Sequence, residues 1–185
     1  KTLRPDHPEL ADTIRALAEL YLRQRKLAEA EPLFGRVLRI REKTLGPEHA
    51  AVAGSLEDLA GVYRSQGRQA EAEPLYLRAM ALRQRESGAE GGLDATMSSL
   101  GGVYFAQGKY AEAERLLREA LGRREKTLGV EHAEVAAIMH DLAEVYRAQG
   151  KYSEAEPLYR RALAVREKAL GAGHSQVAVV LNNLA

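Results

Sequence analysis

The stretch LEDLAGVYRSQGRQAEAEPLYLRA, residues 56–79, decides the fold because it contains two sets of apolar residues with helical spacing. The first set is Leu56, Leu59, Ala60 and Tyr63, and the second is Ala72, Leu75, Tyr76 and Ala79. Apolar residues three and four positions apart lie on one face of an α-helix. Gly67 stands between the sets, where a tight turn favours a residue that tolerates positive φ. The stretch therefore predicts a hairpin of two amphipathic helices.

This hairpin sequence recurs along the chain. The string EAEPL begins at Glu29, Glu71 and Glu154, and the related string EAERL begins at Glu112, which gives spacings of 42, 41 and 42 residues. A fixed period of this length is typical of helical repeat proteins. The period predicts a single domain over residues 1–185, with repeats at about 8–46, 50–88, 91–129 and 133–171 and a partial fifth repeat at 175–185.

Two places depart from the repeated pattern. Arg25 occupies the turn position that Gly67, Gly108 and Gly150 hold in the other copies, so we expect the first turn to be strained or differently shaped. The central stretch ESGAEGGLDA, residues 86–95, lacks the Leu and the His that mark the other repeat junctions. We therefore expect it to be the loosest loop in the molecule.

The repeated residues resemble the tetratricopeptide pattern of a large residue, then L-G-x-x-Y, then A-x-x-x-F. The four copies read Ile14, Leu17, Ala18, Tyr21, Ala30, Phe34; Leu56, Leu59, Ala60, Tyr63, Ala72, Tyr76; Met97, Leu100, Gly101, Tyr104, Ala113, Leu117; and Met139, Leu142, Ala143, Tyr146, Ala155, Tyr159. The period and the strings LGPEH, EAEPLY and LNNLA are similar to the repeats of kinesin light chain and its bacterial relatives.

The resemblance implies an all-α fold, a right-handed αα superhelix of about four helical hairpins plus a terminal helix. Such a tetratricopeptide solenoid stacks each hairpin on its neighbours. A period near 40 residues also fits HEAT or armadillo repeats, which are the alternative fold. The L-A-x-x-Y and A-x-x-x-Y registers favour the tetratricopeptide interpretation.

The composition excludes several classes of function. The chain carries 27 Lys and Arg against 26 Asp and Glu, so its formal net charge of +1 would not attract nucleic acid or an anionic membrane. It has no cysteine, which removes thiolate nucleophiles and Cys-ligated zinc. No apolar run is long enough for a membrane span or a signal peptide. We therefore expect a cytoplasmic protein with neither nucleic acid nor membrane as partner.

The histidines are the residues that most resemble enzyme or metal-site residues. Four of them, His7, His49, His132 and His174, recur at equivalent repeat positions, and equivalent positions in stacked repeats lie too far apart to share one ion. They predict a structural role at the hairpin junctions. His140 breaks the pattern, but no nucleophile motif or phosphate-binding loop accompanies it. The sequence therefore predicts no catalytic residue, cofactor or metal, and no enzyme activity.

The resemblance also implies a concave groove lined by the first helix of each repeat. The residues that would then face the groove are Arg15, Glu19 and Arg23; Glu57, Asp58 and Arg64; Ser98, Ser99, Gly102 and Phe105; His140, Asp141, Glu144 and Arg147; and Asn182 and Asn183. These positions vary between copies while the core positions repeat. Recognition of a non-repetitive ligand requires such variation, and solvent exposure alone would also permit it. The predicted partner is another protein or an extended peptide. The chain itself is expected to be one module of a larger protein.

The groove positions suggest what kind of peptide would bind. In kinesin light chain-like repeats a pair of first-helix asparagines resembles a clamp for a peptide backbone, and Asn182 and Asn183 keep that pair. The small residues of 95–105 predict a shallow apolar pocket beside Phe105. Its flanks are predicted to be acidic, at Glu57, Asp58, Asp141 and Glu144. A peptide with an apolar anchor and basic flanks would fit; the alternative function is a structural spacer, or a solenoid that self-associates through exposed terminal helices.

Overall fold

The computed structural model describes residues 8–85 and 90–170, and the regular structure within those two ranges is entirely α-helical. The helices are α1 (Pro8–Arg23), α2 (Leu27–Leu45), α3 (Ala50–Ser65), α4 (Gln69–Arg85), α5 (Glu90–Ala106), α6 (Tyr110–Leu128), α7 (Ala133–Ala148) and α8 (Tyr152–Leu170). The prediction of an all-α repeat fold is confirmed.

The chain divides into two compact units, Lys1–Ala89 and Glu90–Ala185. In unit 1 the helices α1 and α2 form one hairpin and α3 and α4 a second, with α2 packed against α3. Unit 2 repeats this arrangement with α5 to α8, and there the two first helices, α5 and α7, also touch. The two first helices of unit 2 therefore lie side by side.

Small residues in the first helices allow the paired helices to approach each other. In unit 1, Ala18 and Ala30 are fully buried beside Phe34, and this cluster continues into the next hairpin through Leu59 and Val62. When a small residue on one helix faces a large residue on the other, the helices can approach closely and the large side chain fills the space between them. The resulting packing density is close to that of an organic crystal. The repeated Ala and aromatic positions are thus the core of each hairpin.

The turns within the hairpins have one shared geometry. Gly67, Gly108 and Gly150 have φ of 76°, 75° and 75°, and Arg25 has φ of 60°. The residue after the turn donates its amide to the carbonyl of the repeated Tyr in each case, as Lys26 does to Tyr21 at 2.9 Å and Arg68 to Tyr63 at 2.9 Å. The prediction of a strained first turn is confirmed, because Arg25 adopts the left-handed conformation that favours glycine.

The repeated histidines cap first helices. The Nδ1 atom of His49 accepts a hydrogen bond from the amide of Ala51 at 3.1 Å, and that of His132 accepts one from Glu134 at 3.2 Å. Each histidine thereby satisfies one backbone donor left unpaired by the helix start. The predicted structural role is confirmed for these two residues, while His7 and His174 lie outside the described residues.

The prediction of a loose loop over residues 86–95 is wrong for its second half. Helix α5 begins at Glu90, and Leu93, Asp94 and Thr96 are buried, with exposed fractions of 7%, 0% and 1%. The Oδ2 atom of Asp94 lies 3.0 Å from Nε of Arg124 on α6, and this ion pair compensates the buried charge. Residues 86–89 lie outside the described residues.

Candidate functional site

The predicted groove residues that the structure describes lie on the first helices of the two units. Arg15, Glu19 and Arg23 are on α1, and Glu57, Asp58 and Arg64 are on α3. In unit 2, Ser98, Ser99, Gly102 and Phe105 are on α5, and His140, Asp141, Glu144 and Arg147 are on α7. Asn182 and Asn183 lie outside the described residues. We call the two sets the unit 1 face and the unit 2 face.

An arginine–aspartate pair joins the two first helices of unit 1. The Nε atom of Arg15 donates to Oδ2 of Asp58 at 2.6 Å, and its NH2 group donates to Oδ1 at 3.2 Å. Glu19 also lies within 3.2 Å of this guanidinium. The hydrogen bond to Asp58 is the main reason that the pKa of Arg15 is raised. Residues predicted from two different repeats therefore form one polar cluster.

The carboxylate of Glu57 has a partner from a second helix. NH2 of Arg83 on α4 donates to Oε2 of Glu57 at 2.9 Å, and both side chains are about three-quarters buried, with exposed fractions of 22% and 24%. Asp58 is likewise paired with Arg15. The unit 1 face thus presents its acidic residues as ion pairs, which reduces the negative potential that they would offer to a ligand.

The α5 part of the unit 2 face is made of small side chains. Ser98, Ser99 and Gly102 are half-buried, so this part of the helix is partly accessible to solvent. Their side chains are short and project little from the helix. Phe105 is also half-buried, and its ring centre lies 5.8 Å from that of Tyr110, the first residue of α6. The predicted aromatic is therefore packed against the start of the second helix at one end of this surface.

The α7 part of the unit 2 face is a hydrogen-bonded cluster. Glu144 accepts hydrogen bonds from NH2 of Arg147 at 2.7 Å and from the hydroxyl of the buried Tyr159 on α8. Burial alone would raise the pKa of Glu144, but these two hydrogen bonds together with the charges of Arg147 and His140 lower it. The ring of His140 packs edge-on to Tyr159 with centroids 5.6 Å apart. The cluster fixes three predicted residues, His140, Glu144 and Arg147, in one place.

The stability of unit 2 is expected to depend on the protonation of His140. Burial lowers the pKa of His140 below its ordinary value of 6.5, and Arg166 and Arg147 lower it further against the opposing effect of Glu144. A histidine with a depressed pKa favours the neutral form in the folded state, so its contribution to stability is lost as pH falls below 6.5.

The measurement is urea unfolding at about pH 7.5 and about pH 5.5 for the wild type and for His140→Gln. We expect the wild type to lose more free energy of unfolding between the two values than the variant does. The variant keeps His49 and His132, so the comparison isolates His140. An equal loss in both proteins would show that His140 has no such effect.

No group of three or more His, Asp or Glu side chains in residues 8–85 and 90–170 is arranged to hold a metal ion. None of the helices in them combines the length and the apolar character needed to cross a membrane.

The sequence matches the model of the tetratricopeptide repeat family over residues 9–85 and 93–168. The chain belongs to the tetratricopeptide repeat family. The two matched ranges include most of the hairpin sequence of both units.

Solved structures with kinesin light chain-like repeats are similar to this tetratricopeptide protein. A Podosopora anserina protein assigned as a kinesin light chain with nearly identical TPR-like repeats is 30% identical, with a TM-score of 0.80 over 96% of this chain and 85% of that one. The structure of a single-substitution variant with otherwise the same description is 29% identical, with a TM-score of 0.81 over 99% of this chain and 86% of that one. BtubC (BKLC) from P. vanneervenii, at 24% identity and a TM-score of 0.79 over 94% and 68%, shares the fold. A comparison with curated proteins gave no match.

One repeated residue on the second helices of this tetratricopeptide protein was missed by reasoning from the sequence. An arginine stands seven residues after the repeated aromatic position in every copy, as Arg41, Arg83, Arg124 and Arg166. Arg41 donates to Ser55 at 3.0 Å and to Asp12 at 2.9 Å, whereas Arg83 donates to Glu57. The repeat period could have identified these arginines, because a charged residue that recurs in every repeat is expected to have a structural contact in each.

Proposed function

We propose that this chain is a non-catalytic scaffold that binds an extended segment of another protein on its first-helix faces. Tetratricopeptide repeats commonly serve as protein-interaction modules, and solenoids use their extended concave surfaces for this purpose. The observation that carries the proposal is the contrast between positions. The core residues recur in all four repeats, while Arg15, Glu57, Ser98 and His140 occupy one equivalent position with four different chemistries.

The unit 2 face offers the better anchor for such a segment. The small, half-buried side chains of Ser98, Ser99 and Gly102 would admit an apolar side chain of the ligand on α5. Burial of one large apolar side chain contributes about 1.5–3 kcal/mol. The exposed Asp141 would then lie near a basic residue of the ligand. The preferred ligand is a peptide with an apolar anchor followed or preceded by Lys or Arg.

Selection from random peptides tests this proposal, because it requires no named partner. A phage-displayed library is selected on the immobilised chain, and recovered peptides are measured by fluorescence anisotropy. We expect Ser99→Arg, which fills the proposed anchor position, to weaken binding by about tenfold or more, as loss of one buried apolar side chain would. Asp141→Lys should weaken peptides with basic flanks and leave neutral peptides unaffected.

Ser153→Arg is the matched control, since Ser153 is an exposed serine on a second helix of the same unit. It should leave the affinity unchanged. Recovered peptides that bind Ser99→Arg and the wild type equally would exclude the unit 2 face as the site. Failure to recover any peptide that depends on the first helices would favour the structural-spacer function instead.

A further inference from the structure

An open cavity lies on the surface of helix α6 in unit 2. Its volume is about 440 Å³, and the residues that line it are Ala111, Glu114, Arg115 and Arg118. These residues are three or four positions apart, so they share one side of the helix. We call this feature the α6 cavity. It is separate from the unit 2 face, which consists of residues on the first helices α5 and α7.

Arg115 occupies a position at which α6 departs from the repeat. The other three second helices have proline there, as Pro32, Pro74 and Pro157. Arg115 is exposed, and within residues 8–85 and 90–170 its side chain makes neither an ion pair nor a hydrogen bond. Its guanidinium therefore brings a positive charge and unused N–H donors to the α6 cavity.

Glu114 holds two further cations beside the cavity. Its Oε2 atom accepts a hydrogen bond from Nζ of Lys151 at 2.9 Å, and its Oε1 atom lies 3.6 Å from NH1 of Arg118. The hydrogen bond from Lys151 is the main reason that the pKa of Glu114 is lowered, so this carboxylate is ionised at neutral pH. Three cations, Arg115, Arg118 and Lys151, thus surround one carboxylate.

Arg118 is held more loosely than the equivalent arginine of α8. That residue is Arg160, whose NH2 group lies 2.7 Å from Oε1 of Glu156, whereas the distance from Arg118 to Glu114 is too long for a hydrogen bond. The two arginine side chains are 69% and 66% exposed, so exposure does not account for the difference. The guanidinium of Arg118 therefore has donors available for another acceptor.

We infer that the α6 cavity binds the phosphomonoester group of a ligand through Arg115 and Arg118. The planar fork of a guanidinium matches two phosphate oxygens. A phosphomonoester carries a charge of about −1.5 to −2 at pH 7, which balances the excess of the three cations over Glu114, whereas one carboxylate balances only part of it. The volume of the cavity is in the range of small-molecule sites, so the group that carries the phosphate also has room.

The first probe is O-phosphoserine, titrated into the isotope-labelled full chain and followed by NMR at constant ionic strength, so that screening does not change. We expect saturable shifts of the amide signals of residues 111–118. Glutamate at the same concentrations should give much smaller shifts. Arg115→Gln and Arg118→Gln should each weaken O-phosphoserine binding about tenfold, because each removes charge-assisted hydrogen bonds.

The repeat supplies matched controls for the charge and for the cavity. Arg160→Gln removes the same charge at the same repeat position of the same unit, and it should leave the affinity unchanged. Ala111→Phe fills the cavity without changing its charge, and it should weaken binding. Ala28→Phe places the same ring at the equivalent exposed position of α2, and it should have no effect.

A second probe identifies the source of the phosphate. It is a mixture of fluorescein-labelled peptides with one central phosphoserine and random flanks, measured by anisotropy. An affinity about tenfold or more above that of O-phosphoserine would assign the site to a phosphorylated segment of a protein. Equal affinity would assign it to a small phosphate ester. In both cases Arg115→Gln must weaken binding, and Ser99→Arg must not, so this result is independent of the phage selection.

Three results would overturn the inference. An absence of saturable shifts in residues 111–118 would exclude the α6 cavity as a site. Equal shifts with glutamate and O-phosphoserine would show that the cavity does not select phosphate. Equal affinities of Arg115→Gln and Arg160→Gln would show that the phosphate responds to the general charge of the chain.

Discussion

Asp94→Ala is expected to lower the free energy of unfolding by about 3 kcal/mol, because it leaves the guanidinium of Arg124 buried without its main partner. Asp94 is fully buried and Arg124 is 8% exposed, so solvent cannot replace the lost carboxylate. The value is at the lower end for a broken buried pair, since NH2 of Arg124 keeps Glu134 at 3.2 Å. Glu134 is more than half exposed and compensates only part of the charge.

The double variant Asp94→Ala, Arg124→Met should recover most of this loss. The other three repeats have alanine at the position of Asp94, as Ala11, Ala53 and Ala136, and all three are buried. A buried ion pair replaced by apolar residues of similar volume is commonly neutral or stabilising. A double variant as unstable as Asp94→Ala would show that the pair contributes by more than mutual compensation of charge.

Asp12→Ala is the matched control for this experiment. Asp12 pairs with Arg41 at 2.9 Å, at the same arginine position of the first repeat, but its side chain is 81% exposed. We expect a loss below about 1 kcal/mol, as for an exposed pair. Urea unfolding followed by circular dichroism measures all three proteins. Similar losses for Asp12→Ala and Asp94→Ala would contradict the role assigned to burial.

The parts of this fold that follow from local pattern could be predicted from the sequence. The spacing of Leu56, Leu59 and Tyr63 specifies a helix face, and the 42-residue period specifies how often the hairpin returns. Arg25 was recognised as a residue in a glycine position, and it does have a positive φ of 60°. Such features depend on residues close together in the chain, so their physical cause is visible in one short stretch.

The features that were missed depend on contacts between distant residues. A stretch with Gly91, Gly92 and Asp94 has the composition of a loop, and only the position of Arg124, thirty residues later, makes burial of Asp94 favourable. The ion pair between Arg78 and Glu42 is a second case, because Glu42 belongs to the preceding hairpin and the pairing requires the stacking geometry.

The positions of the residues on the two candidate faces could be predicted, but their hydrogen-bond and ion-pair partners could not. The series Arg15, Glu57, Ser98 and His140 follows directly from the repeat register. Their partners differ, however, because Arg15 bonds to Asp58 on a neighbouring first helix whereas Glu57 bonds to Arg83 on its own second helix. Arg15 and Arg83 therefore reduce the acidity predicted for the unit 1 face. The repeat pattern shows where these arginines stand in the sequence but not which residues they contact.

Gly101→Ala is expected to destabilise the chain, although alanine is normally better than glycine inside a helix. A Cβ at this position would lie 2.8 Å from Cγ and 3.1 Å from Cδ2 of Leu117, which is 1% exposed and cannot move away freely. Overpacking of this kind costs about 1–3 kcal/mol, against a helix gain of about 1 kcal/mol. The net loss is expected to reach up to about 2 kcal/mol in urea unfolding.

The control is Gly122→Ala on α6, where an added Cβ meets no atom within 4 Å, and this variant should be stabilised by up to about 1 kcal/mol. The same substitution is expected to change the free energy of unfolding in opposite directions at these two helical glycines. That difference isolates the clash with Leu117. The other repeats pair alanine with an aromatic residue, as Ala18 does with Phe34 and Ala143 with Tyr159. Leu117→Phe should therefore restore stability to Gly101→Ala, because a flat ring can lie beside a methyl group that the branched Leu117 excludes. If the double variant is no more stable than Gly101→Ala, the glycine is required for a reason other than the side chain opposite it.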